Sequence, residues 1–76
     1  MERTWRDVYL EEVDRQVGVL RDARRRGQTR LTIAGRDRDP SRMTDRTIRE
    51  IAERETERLV NYAINVELEQ KRRRAA

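Results

Sequence analysis

Leu59-Val60-Asn61-Tyr62-Ala63-Ile64-Asn65-Val66-Glu67-Leu68 is the stretch on which the fold turns. At a period of two, Val60, Tyr62, Ile64, Val66 and Leu68 alternate with Asn61, Ala63, Asn65 and Glu67, which is the pattern of a half-buried strand. At a period of 3.6 the same residues make two apolar lines on a helix. Leu59, Tyr62, Ala63 and Val66 continue an arc of about 120° begun by Ile48, Ile51 and Ala52. Val60, Ile64 and Leu68 follow an i, i+4, i+8 course on roughly the opposite side. The surroundings favour the helix: no Gly or Pro lies between Thr44 and Leu68, and residues 54–58 and 67–76 are rich in helix formers. The helix is expected to start near Asp39-Pro40 or Thr44-Asp45, since Pro40 suits a first helical position and Thr44 suits an N-cap.

A helix apolar on two sides needs cover on two sides. One face is expected to pack within the chain. The other, at Val60, Ile64 and Leu68, is the expected docking face for a protein partner or a second copy. Glu55 falls in the middle of the first arc. It is expected to interrupt the stripe and reach solvent beside Arg58; a registry role in an oligomer seam is the other reading.

The cover within the chain comes from upstream. Thr4 and Asp7 have capping-box spacing, and Trp5, Tyr9, Leu10, Val13, Val17, Leu20 and Ala23 fall in one arc of about 140°. Gly27 is a natural stop, and Arg24-Arg25-Arg26 sit where the helix dipole favours cations. The reading is a helix over residues 4–26, with Trp5 and Tyr9 packing in the core or at the partner interface.

Between the helices, Arg30-Leu31-Thr32-Ile33-Ala34 alternates and carries β-branched residues, so it reads as a short strand needing a pairing partner. Gly35 to Ser41 reads as loop. The expected architecture is mainly α: two helices joined by an extended connector, completed by oligomerisation or a partner. Residues 1–70 form one small domain and residues 71–76 a basic tail.

Composition supports a chain in need of help. Across 76 residues there are fifteen Val, Ile and Leu, no Phe and no Cys, while 45% of the chain is charged. Small domains bury little surface, and two usual staples, a disulfide and a Cys/His zinc site, are excluded because both residues are absent. The start is charged and mixed, and no apolar run approaches the about 20 residues of a membrane span. The expectation is a soluble cytoplasmic protein, or one built into a particle assembled inside a cell.

Charge is uneven: residues 1–20 sum to −2, 21–46 to +5, 47–70 to −3 and 71–76 to +4. Eighteen of the nineteen cations are Arg, the side chain best suited to bidentate phosphate or carboxylate contacts. The connector residues Arg24, Arg25, Arg26, Arg30, Arg36 and Arg38, with Lys71, Arg72, Arg73 and Arg74, are therefore candidates for DNA or RNA phosphates. Base reading fits less well. The connector has no aromatic platform, the helices are too far apart for a helix-turn-helix, and one long helix stands where a ribbon-helix-helix has two short ones.

Catalysis has little to work with. Without His or Cys the common nucleophile–base pairs cannot form, the three glycines are isolated, and Asp37 and Asp39 around Arg38 do not make a metal loop. No cofactor and no small-molecule substrate are expected. The sequence favours a non-enzymatic interaction module: an assembly component, a viral or mobile-element accessory, or an inhibitor of a larger complex. A nucleic-acid-associated helical oligomer is the alternative.

Overall fold

The computed structural model describes residues 2–33 and 35–75. Helix α1 spans Trp5–Arg25 and is closed at both ends by its own sequence. Thr4 Oγ1 accepts from the Asp7 amide and Asp7 Oδ2 accepts from the Thr4 amide, each at 3.2 Å, so the capping box forms. At the other end Gly27 takes φ +69°, a left-handed conformation that costs glycine least. The Gly27 amide then donates to the Arg24 carbonyl, and the Gln28 amide to the Ala23 carbonyl, both at 3.0 Å. This is a Schellman cap, and it satisfies two carbonyls the helix would leave bare.

The connector is more ordered than its sequence suggests. Strand β1, Leu31–Ile33, pairs antiparallel with β2, Arg36–Arg38, in the register Leu31↔Arg38, Thr32↔Asp37 and Ile33↔Arg36. The strand at Leu31 thus finds its partner within the chain, in residues expected to be loop. Arg-Asp-Arg has no strand propensity of its own. Register comes from the turn and from Asp37: Gly35 sits at φ +79°, and Asp37 accepts from Thr32 Oγ1 at 2.7 Å and Arg30 Nε at 3.1 Å. Ala34, the expected end of the first strand, lies outside the described residues. Leu31 and Ile33 are turned toward the helices and pack on the core.

Both expected helix starts are used. Asp39 caps a 3-10 turn at Pro40–Arg42, accepting from the Ser41 amide at 3.1 Å. Thr44 then begins α2, Asp45–Ala75, its hydroxyl accepting from the Thr47 amide at 3.2 Å. The stretch 59–68 is therefore helical.

The two helices run antiparallel. At one end Arg24 reaches Asp45, at 2.7 Å; at the other Trp5 and Val8 lie beside Leu59, Val60 and Ala63. The core joins Val13, Val17 and Leu20 of α1 to Ile48, Ile51 and Ala52 of α2, with Tyr9, Leu31, Ile33 and Met43 at its margin. Helix α2 has 31 residues against 21 in α1, and the molecule measures 52 Å along its longest axis. The C-terminal turns of α2 outrun their neighbour.

Candidate functional site

Burial along α2 follows an i, i+4 row rather than a straight face. Ile48, Ala52 and Thr56 are fully buried, and Val60 and Ile64 are half-buried after them. Such a row winds about the helix, and it is one of the ridges that packing helices interdigitate. Tyr9, Val13 and Val17 are the matching row on α1. Following this row, α1 drifts off the arc begun by Ile48 and leaves its second half bare. Leu59 is 51% exposed, Tyr62 71%, Val66 39% and Leu68 55%.

Trp5 is partly exposed and, with Val8, Glu12, Leu59, Val60 and Ala63, lines an open recess of about 220 Å3. The structure brings Trp5 and Val60 together there. Tyr9 packs against the core instead, Ile64 is half-buried, and Leu68 stands exposed two turns beyond Val60. Sequence reasoning assigned Leu59, Tyr62 and Val66 to the packed arc, and so missed them as surface. The available signal was length: a helix of about 22 residues cannot cover one of about 30.

The seam also holds a buried ionic cluster. Glu55 is 2% exposed, which corrects the expectation that it reaches solvent. Its Oε1 lies 4.0 Å from Arg38 of β2 and 4.0 Å from Arg58. Glu55 Oε2, Arg38 Nε and Thr56 Oγ1 are buried without a hydrogen-bond partner among the described residues. The cause is the hairpin. Pairing Arg38 with Leu31 turns both toward the helices, and the hairpin closes over the face that Glu55 occupies.

Most of the basic residues already face carboxylates. Arg25 and Arg26 engage Asp22, Arg24 engages Asp45, Arg30 engages Asp37 at 2.9 Å, Lys71 engages Glu67 and Arg73 engages Glu69. Arg36, Arg72 and Arg74 have no such partner among the described residues. The segment Lys71–Arg74 is not a loose tail; it forms the last turns of α2, where cations oppose the helix dipole. A shallow trough of about 490 Å3 on α1 is lined by Gly18, Arg21, Asp22, Arg24 and Arg25, cations already directed at Asp22 and Asp45. The Arg24 hydrogen bond and charge, with Arg21 behind them, hold the Asp45 carboxyl below its ordinary value. Glu12 is likewise lowered, chiefly by its hydrogen bond from Arg15, against the opposing effect of burial.

Among the described residues no group of three or more carboxylates is placed to hold a metal ion, and no helix is long and apolar enough to cross a membrane. Compared with known protein families, curated proteins and solved structures, the chain matches none.

Proposed function

We propose that this protein is a non-enzymatic interaction module, an assembly component or inhibitor of a larger complex, which binds through the uncovered half of α2. The observation that carries the reading is the exposure of Leu59, Tyr62 and Val66, which share one face of α2 on turns that extend past α1, with Leu68 exposed on another side of the same turns. An apolar stripe rimmed by charge is the usual form of a helical binding face. Trp5 and Val60, at the mouth of the recess, extend the same surface and supply an aromatic anchor. A photo-crosslinking amino acid placed at Tyr62 in cells should yield a discrete protein adduct that is missing when it replaces Glu53 on the opposite side. Equal labelling from both positions would defeat the proposal.

The second reading, nucleic-acid association, draws support from Arg36, Arg72 and Arg74, which face no carboxylate among the described residues, and from the exposed ion pairs, which phosphate can displace because such pairs are worth about 0–1 kcal/mol. It predicts DNA or RNA binding that falls steeply with salt. A low-salt gel-shift titration with no complex at micromolar protein would remove it.

A further inference from the structure

Leu59, Tyr62 and Val66 are spaced by three and four residues, and the same alternation runs back through Glu55, Ala52 and Ile48 and on through Glu69 and Arg73. That is the spacing of a coiled-coil seam, apolar at Ile48, Ala52, Leu59, Tyr62 and Val66 and charged at Glu55, Glu69 and Arg73. Its first half is buried within the chain; its second half is uncovered. We propose that the second half pairs with the same segment of a second copy, antiparallel, so that Tyr62 packs on Val66 of the other copy. The inference rests on the reading of this face as a binding surface and names the occupant.

Charge fixes the direction. Along α2, residues 45–57 sum to −2 and residues 67–74 to +2. A parallel pair would stack one Lys71–Arg74 segment on the other. The antiparallel pair instead sends each basic end toward the more acidic half of its neighbour, and brings Arg58 beside Glu69 at the edge of the seam. A helix of the same sequence therefore matches the face in both spacing and charge. With Tyr62 opposite Val66, Leu59 faces Glu69, and the uncovered overlap of residues 59–69 gives a seam of about 15 Å. That is shorter than the contact that buries about 800 Å2 on each partner, so the dimer should be a weak one, with dissociation in the micromolar range. A weak pair forms when local concentration rises, as in a growing assembly.

Sedimentation velocity of the full chain, from low micromolar to about 1 mM, reads the association directly. The mass should rise from monomer toward dimer and stop there. Tyr62→Glu, at a position already open to solvent, should keep its helical circular dichroism and stay monomeric throughout; Arg46→Ala should associate as the wild type does. The chain has no Cys, so a single Arg74→Cys carries a spin label cleanly. In the antiparallel pair the two labels lie about 30 Å apart along the helix axis, and in a parallel pair about 10 Å. A wild-type monomer at the highest concentration, a larger assembly, unchanged association of Tyr62→Glu, or the short label distance each overturns the dimer. If the chain stays monomeric yet Tyr62 still crosslinks a different protein in cells, self-pairing is refuted and the interaction reading stands.

Discussion

Replacing Glu55 with Leu should stabilise this protein. Glu55 is buried, its nearest cations stand 4.0 Å away, and one of its oxygens has no donor among the described residues. Taking a carboxylate out of water costs several kcal/mol, and attraction at this separation with an incomplete hydrogen-bond set repays only part of it. Leu has a similar volume and a slightly better helix propensity, and it continues the packed line of Ile48 and Ala52. Replacing buried ionic groups with apolar ones of similar size gains about 1–4 kcal/mol where the geometry is poor. Arg38 Nε remains buried after the change, and its cost trims the expected gain to about 1–3 kcal/mol. Urea unfolding followed by helical circular dichroism reads this well. With a slope near 1 kcal/mol per molar for so small a domain, the midpoint should rise by about 1–3 M. Midpoints taken at two protein concentrations separate any contribution of self-association. Arg38→Met should destabilise the wild type by about 1–3 kcal/mol and cost much less in the Glu55→Leu background, since no stranded carboxylate is left. A loss of more than about 1 kcal/mol for Glu55→Leu would refute the argument, because it would make the Arg38–Glu55 pair a net source of stability.

Three further outcomes are expected. Gly35→Ala should cost about 1–2 kcal/mol, because Gly35 holds φ +79° in the hairpin turn and a Cβ is strained there although nothing crowds it; an unchanged thermal midpoint would show that the turn relaxes. Thr4→Ala should lose about 1 kcal/mol with the capping box, and hydrogen exchange should quicken at the first turn of α1 while α2 is little affected. Asp45 is held below its ordinary carboxylate range by Arg24, so the folded state releases its proton more readily than the unfolded chain. The stability from this contact is complete above the ordinary value of 3.8 and fades as the pH drops through the lowered one. Asp45→Asn should flatten the acid limb of a stability–pH curve, and an unaltered limb would place the sensitivity elsewhere, Glu12 being the first alternative.

The helices and their ends were legible from sequence because their signals are local. Thr4 with Asp7, Gly27, Asp39-Pro40 and Thr44 each cap a backbone end within a few residues, and each does so in the structure. The helical state of 59–68 followed from the absence of a breaker. β2 was not legible, since nothing in Arg36-Asp37-Arg38 prefers a strand. Its pairing is a long-range consequence of Leu31 and Ile33 seeking the core, with Asp37 accepting across the turn.

The surface of α2 shows why helical wheels mislead at this length. A wheel with a fixed 100° step assigns Leu59, Tyr62 and Val66 to the face of Ile48 and Ala52, and that assignment assumes a neighbour lying parallel to the helix axis. Ridges that pack at i, i+4 advance 40° with each step. Over the three steps from Ile48 to Val60 the contact turns about 120°, a third of the circumference. Val60, which the wheel puts on the spare side, is thereby carried to the edge of α1, and Tyr62 is carried into the open. The same rotation accounts for Glu55. It lies where the wheel puts an apolar residue, and what closes over it is the hairpin bearing Arg38, an element no wheel contains. Where one helix outlasts its neighbour, the exposed face therefore follows from the direction of the packing row and the point at which the shorter helix ends.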